Sequence, residues 1–162
     1  ISDAAATQET TEYFDDAATK QDIIDRTNAL RRENGVSVLT VNGELMQAAQ
    51  VRADEMAASG VYSHTRPDGR KYTTVTDCKY IGENIHLIGE WQIRDSSLPS
   101  FAVEAWKNSA AHLKNMLNTR YHAIGVGVSQ GTVMGEPYWY CVQLFLLDGY
   151  NVTWVDAPAA KG

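Results

Sequence analysis

At 162 residues the chain suits one domain with a real core, since chains near this size bury roughly 70% of the surface their unfolded form exposes. Its composition, 44% hydrophobic and 21% charged, is that of a globular protein, and a net charge of −6 argues weakly against nucleic acid or an anionic membrane surface as partner. There is no apolar run of about 18 residues, so no membrane-spanning helix is expected.

Residues 1–19 hold Asp3, Glu9, Glu12, Asp15 and Asp16 and no base, which leaves the rest of the chain near neutrality. This acidic, Ala- and Thr-rich stretch reads as a loosely ordered leader. The start without Met, on small polar residues, fits an exported, processed product or a trimmed chain. A first helix is expected over about Lys20 to Glu33, with Ile23, Ile24, Thr27 and Leu30 on one face. Asn34-Gly35 stops it, glycine being the cheapest residue at a left-handed C′ position. Val36 to Val41 reads as an extended link. A second helix, about Glu44 to Ser59, is capped by Asn42 or Thr40 and ended by Gly60. Its face of Leu45, Ala48, Ala49, Arg52, Ala53 and Met56 predicts close packing against another element.

His64 comes just before a turn at Pro67-Asp68-Gly69. Residues 73–80 read as irregular, and Ile81 to Leu87 as β-prone with one acid, Glu83. Residues 88–98 read as a loop carrying Trp91. A helix with Phe101, Val103 and Trp106 follows from Ser97–Pro99. Ser109 breaks it and suits the N-cap of a short second helix, placing His112 near the positive end of the dipole, where a histidine is pushed toward its neutral form. Ile124, Val126 and Val128 alternate with glycines at strand period. Residues 130–137 read as a connection, and Tyr138 to Leu147 as a strand buried on both faces. Helices followed mostly by strands predict an α+β layered domain with helices packed on an antiparallel sheet. Residues 20–150 form that domain, and 151–162 read as a tail. Cys78 and Cys141 would close a loop of about 60 residues as a disulfide, stabilising by roughly 4 kcal/mol; two buried free thiols are the alternative.

Several motifs stand in a fixed order. His64 precedes Arg-Pro-Asp-Gly. Gly82-Glu83-Asn84-Ile85 follows, then Trp106-x-x-Ser109-x-x-His112 and Asn115-Met116-Leu117. Ile124-Gly125-Val126-Gly127-Val128 and Gln143-Leu144-Phe145 complete the set. In this order they resemble the CAP superfamily of cysteine-rich secretory, antigen 5 and pathogenesis-related proteins, and above all its bacterial extracellular members. The resemblance implies a three-layer α-β-α sandwich with an antiparallel sheet between helices. It also implies secretion and a central cleft of two histidines and two acids that in some members holds a divalent metal, often zinc. Carried over by position, the ligands are His64, Glu83 and His112. In the animal and plant branches a glutamate lies three residues after the tryptophan; here that residue is Ser109. Glu104 is the acid nearby, but helical geometry turns it about 140° from position 109.

Two imidazoles and a carboxylate make an open zinc site with a place for water. The competing reading is a buried hydrogen-bonded network of the same three side chains. Asn84, Ser109, Gln143 and Glu104 are candidate cleft-lining residues. His86 and His122 read as surface or edge histidines, and Trp106, Trp139, Tyr138, Tyr140 and Phe145 as core or cleft wall. The leading expectation is a secreted binding module. The resemblance suggests sterols, fatty acids, glycans or host and cell-surface proteins as ligands without choosing among them. A metal-dependent, peptidase-like hydrolase with Glu83 as base and His112 beside it is an alternative. No substrate cleft or Gly-x-Ser-x-Gly elbow is legible, so catalysis is the weaker reading. A third reading is an extracellular scaffold that meets a partner protein through residues 86–98, anchored by Trp91.

Overall fold

The structure, a computed structural model, describes residues 16–147. The first helix, α1, spans Asp16–Glu33 and so begins four residues earlier than expected: residues 16–19 belong to it rather than to a leader. The rest of the leader and the 151–162 tail lie outside the described residues. A two-residue strand β1 (Thr40–Val41) and helix α2 (Gly43–Ser59) follow. The Asn42 side chain accepts from the Leu45 N–H at the start of α2, and Gly60 closes it at φ 73° with its N–H on the Met56 carbonyl. A 3-10 turn at Tyr72–Val75 replaces part of the expected irregular stretch. Strand β2 runs Ile81–Gly89, and the expected loop beyond it holds a short helix, α3 (Glu90–Ile93). Then come α4 (Leu98–Lys107), capped by Ser97, and α5 (Ala110–Met116). Strands β3 (Tyr121–Val133) and β4 (Glu136–Leu147) close the described chain. The expected 130–137 connection shrinks to a two-residue turn. Met134 (φ 53°) and Gly135 (φ 82°) both take the positive φ that a type I′ hairpin needs.

The sheet order is β1-β3-β4-β2. β3, β4 and β2 pair antiparallel, while β1 pairs parallel with β3, so the sheet is mixed rather than wholly antiparallel. Side-chain alternation assigns the two faces. Ile124, Val126, Val128, Trp139, Cys141 and Phe145 pack with α1, α4 and α5 through Ile23, Leu30, Val103, Trp106 and Met116. Ala123, Tyr140, Val142, Leu144, Leu146, Ile81 and Ile85 pack with α2 through Leu45, Ala48, Ala49, Ala53 and Met56. The result is helix, sheet, helix: the expected three-layer sandwich.

This layering corrects the disulfide expectation. Cys78 and Cys141 are both free. Cys141 is buried in the cluster with α1 and α4, whereas Cys78 packs against the cluster on the α2 face, so the sheet stands between them. The Cys78 thiol instead donates to Glu44 Oε2 at 3.3 Å.

Strand β2 is a sheet edge, and its outward carbonyls are closed by side chains rather than by another strand. Tyr72 Oη donates to Ile81 O, Asn115 Nδ2 to Glu83 O, and both Tyr62 Oη and Trp106 Nε1 to Ile85 O. The helices α4 and α5 and the segment before the 3-10 turn are thereby drawn to one edge, where the candidate residues gather.

Candidate functional site

Glu83 and Asn84 are neighbours on β2, so the pleat sends them to opposite faces. Glu83 faces α2. There Arg52, wholly buried on an otherwise apolar helical face, donates from Nε to Glu83 Oε2 at 2.8 Å and from Nη2 to Oε1 at 3.1 Å. The same guanidinium reaches the Ser63 carbonyl at 2.6 Å and Glu55 Oε1 at 3.0 Å. Glu55 also receives Arg66. Burial opposes the charge on Arg52, but the hydrogen bonds and charge of Glu83, and then of Glu55, outweigh it and raise its pKa. This clamp holds the 63–66 segment on α2 and brings His64 to the site. His64 Nδ1 lies 2.7 Å from Glu83 Oε1 while over half of its side chain stays exposed. A carboxylate paired with arginine only accepts, so Nδ1 of His64 is the donor in this contact and its Nε2 is left without a hydrogen-bond partner among the described residues.

Asn84 faces the other helical layer and is fully buried. It donates to the His112 carbonyl and to Gln143 Oε1, both at 3.1 Å, and accepts from Asn115 at 2.9 Å. Gln143 in turn donates to Thr27 Oγ1 on α1 at 2.8 Å. Asn84 and Gln143 therefore do not line a cleft, as the sequence suggested. They form a buried polar chain beneath it that bolts α5, and with it His112, to the edge strand.

Ser109 occupies the N-cap position of α5 with extended backbone, but its hydroxyl caps no N–H. It bonds His112 Nδ1 at 2.8 Å instead. The imidazole three residues on wins the hydroxyl that a cap would use. Burial, and then the nearby charge of His64, lowers the His112 pKa. His86, half-buried on the same side of β2, is lowered by burial and then by His112. Glu104 is exposed on α4 and lines surface grooves with Arg26, Ser100 and Phe101, not with the histidines. His122 sits half-buried at the start of β3.

The sheet edge thus gathers His64, Glu83, His112 and Ser109, with Arg52, Asn84, Gln143 and Asn115 behind them. The sequence marks Arg52 only as part of a helix face and Asn115 only as part of a motif, neither as a site residue. A charged residue within the apolar face of α2 was the available signal for Arg52. As a cation site the set fits in one way. Both imidazoles are anchored through Nδ1, which would leave Nε2 to meet a cation, with Glu83 as the carboxylate that orients His64 rather than a ligand. It does not fit as a three-ligand centre with Glu83 bound directly, because Arg52 and His64 already hold both carboxylate oxygens. In keeping with this, no group of three or more His, Cys, Asp or Glu among the described residues is arranged to hold a metal.

The sequence pattern of the family described as CAP, the cysteine-rich secretory protein family, matches residues 24–145. The uncharacterized protein YkwD of Bacillus subtilis is 29% identical over 124 residues, covering 75% of this chain and 47% of that protein. The uncharacterized membrane protein YlbC of the same organism is 29% identical over 119 residues, covering 68% and 32%. The chain spans half or less of the length of these relatives. A solved extracellular protein containing an SCP domain from Bacillus anthracis superposes with a TM-score of 0.65 at 24% identity, over 82% of this chain and 41% of that one. NaASP2 with Zn2+ shares the fold at a TM-score of 0.53 and 16% identity, over 76% and 77%.

Proposed function

Since this chain belongs to the CAP, or cysteine-rich secretory protein, family, we propose that it is an exported binding module whose working surface is the outer edge of β2, with His64 and His112 as the residues that meet the ligand. One observation carries this reading. Two imidazoles from separate segments are each fixed through Nδ1, by Glu83 and by Ser109, and no hydrogen bond from the described residues reaches either Nε2. Export is supported by a structural neighbour described as extracellular.

A divalent cation, zinc first, is the ligand this donor pair suits. Imidazole nitrogen is a good zinc ligand, and a second partner on Nδ1 raises its basicity. The structurally similar NaASP2 has a crystal structure with Zn2+, which supports the same choice. When bound, the cation would bridge the two segments and act as a Lewis acid toward a ligand oxygen. The residues of this chain hold the rings: Glu83 keeps the His64 proton on Nδ1, Ser109 orients His112, and the Asn84–Gln143 chain fixes α5.

Zinc titration by calorimetry and thermal melting tests the reading. Zinc at about 100 times its Kd should stabilise the wild type by about 2.7 kcal/mol. Neither His112→Ala nor His64→Ala should respond. Equal shifts in all three proteins would remove the cation claim.

A second surface is favoured by Trp91, which is 60% exposed on α3 next to the site strand. An exposed tryptophan is a common anchor for a protein partner. Capture of a cell-surface protein from extracts by the wild type but not by Trp91→Ala would support that role; capture by both would end it.

A further inference from the structure

We infer that the far end of the β2 edge is a docking strip for a proline-rich, basic segment of a partner protein, held as a polyproline II helix, with Trp91 and Tyr62 as its two aromatic rungs. The inference deepens, and rests on, the reading of Trp91 as the anchor for a protein partner.

Both rings are exposed and yet held. Trp91 is 60% exposed and Tyr62 42%. The nitrogen end of the indole rests on Gly89, the last residue of β2. A Cβ built on Gly89 would overlap it, so the glycine is what lets the indole sit down on the strand. Gln92 Oε1 accepts from the Gly89 N–H at 2.7 Å and ties α3 to the same residue. At the other end of α3, Ile93 packs against the buried cluster of α1 and α4, and its carbonyl accepts from the Ser96 N–H at 2.9 Å. Between them Arg94 turns the chain at φ 50°, which a residue other than glycine keeps only where its surroundings impose it. Tyr62 is held at its tip: Oη donates to Ile85 O at 3.2 Å and also meets the Leu87 backbone N–H. Rings fixed before a ligand arrives lose little freedom on binding.

The strand limits what can use them. A partner that adds a strand needs the edge carbonyls, and those of Ile81, Glu83 and Ile85 already accept from Tyr72, Asn115, Tyr62 and Trp106. A polyproline II segment needs no such ladder, comes with little chain entropy to lose, and docks on exposed aromatic rings. The spacing suits it. Tyr62 is tied to positions 85 and 87 and Trp91 to position 89, which at about 3.3 Å per residue puts the rungs roughly 7–13 Å apart. One polyproline II turn is about 9 Å. Charge completes the match: exposed Glu90 and Asp95 flank the indole against one exposed base, Arg94, which favours a basic residue beside the prolines.

The test titrates the whole chain with a synthetic peptide of prolines flanked by arginines, followed by tryptophan fluorescence and calorimetry. The wild type should bind it. Trp91→Ala should weaken binding about thirtyfold or more and Tyr62→Leu about fivefold or more, the scales of a central anchor and of its neighbour. Glu90→Gln should weaken it less and flatten its salt dependence. Should Tyr62→Leu fail to fold, the wild type still decides by nuclear magnetic resonance: peptide-induced shifts confined to Trp91, Tyr62 and their neighbours uphold the inference, and shifts elsewhere overturn it. Three results overturn it outright: no binding by the wild type at millimolar peptide, equal binding by Trp91→Ala, or equal binding of a glycine-serine peptide of the same length and charge. If an oligomer of N-acetylglucosamine binds through Trp91 and the proline peptide does not, the strip is a sugar platform and the inference falls. If a cell-surface protein is captured through Trp91 while the peptide does not bind, the anchor reading stands and the inference falls. If neither binds, both fall.

Discussion

Gly127 on β3 lies directly against the backbone of Ala49 on α2: a Cβ built on the glycine would overlap the Ala49 carbonyl. Gly125, two residues earlier, meets Leu45 in the same way. With Ala48, Ala49 and Ala53 on the facing helix, these glycines let α2 settle onto the sheet with no side-chain layer between them at this point.

Gly127→Ala should therefore cost about 3 kcal/mol, the upper range for overpacking a filled core, because helix backbone rather than a flexible side chain must move. Ala substitution at Gly135, which has open space but a φ of 82°, should cost less. Urea midpoints of both variants give the comparison. A Gly127→Ala protein as stable as the wild type would mean that α2 does not sit this close.

Arg31 is fully buried and spends its guanidinium on four backbone carbonyls, those of Ser37, Met116, Asn118 and Tyr121. It ties the end of α1 to the turn from α5 into β3. Arg31→Met leaves those carbonyls to find other partners and should destabilise by about 3 kcal/mol or more. A loss below about 1 kcal/mol, measured by chemical denaturation, would show that water replaces the guanidinium cheaply.

Removing one partner of the Arg52–Glu83 pair strands a buried charge. Glu83→Gln should cost about 3–5 kcal/mol, as should Arg52→Met. The double variant Arg52→Met/Glu83→Met should lose much less than the two single losses combined, because no charge is left unpaired. Additive losses in this cycle would show that the pair is not coupled.

Acid should weaken the fold through the histidines. Burial, and then neighbouring histidine charge, lowers the pKa of both His86 and His112 below the usual 6.5. The unfolded chain therefore binds more protons than the folded one from about pH 6.5 down to the folded values, and stability falls as pH drops through that window. The urea midpoint should decline between about pH 7.5 and 5.5, less steeply in His86→Gln. Identical slopes in both proteins would remove His86 from the explanation.

The two thiols should behave as separate groups. Burial pushes Cys141 up to about 12 and leaves it out of reach of solvent, while Cys78 is partly exposed. A thiol reagent should label Cys78 alone in the native protein and both cysteines in denaturant. No labelling in denaturant without reductant would reveal a disulfide and contradict their separation by the sheet.

Much of the layering was legible because it follows from period. The apolar spacing of α1 and α2, the stop at Gly60 and the alternation at Ile124, Val126 and Val128 are local signals, and each has its element in the structure. The pairing of His64 with Glu83, and the docking of the His112 helix on the same edge strand through Asn84, were legible only through the order of motifs. Their separations along the chain carry no geometry. What the motifs did not disclose was the state of each group once it arrived. Ser109 keeps its N-cap position and gives its hydroxyl to His112, and Asn84 and Gln143 turn inward beneath the site.

By itself, the sequence determined the longer helices and strands and which faces they bury, since both depend on the spacing of neighbouring side chains, but not the short helix at Glu90–Ile93 or the reach of the hairpin through 130–137. The tertiary structure alone decided that Glu83 belongs to Arg52, that Cys78 and Cys141 lie on opposite sides of a sheet, and that an edge strand is closed by tyrosine, asparagine and tryptophan rather than by another strand. Those outcomes depend on which side chain from a distant segment reaches a buried polar group first, and a charge or carbonyl out of water takes the partner that packing delivers.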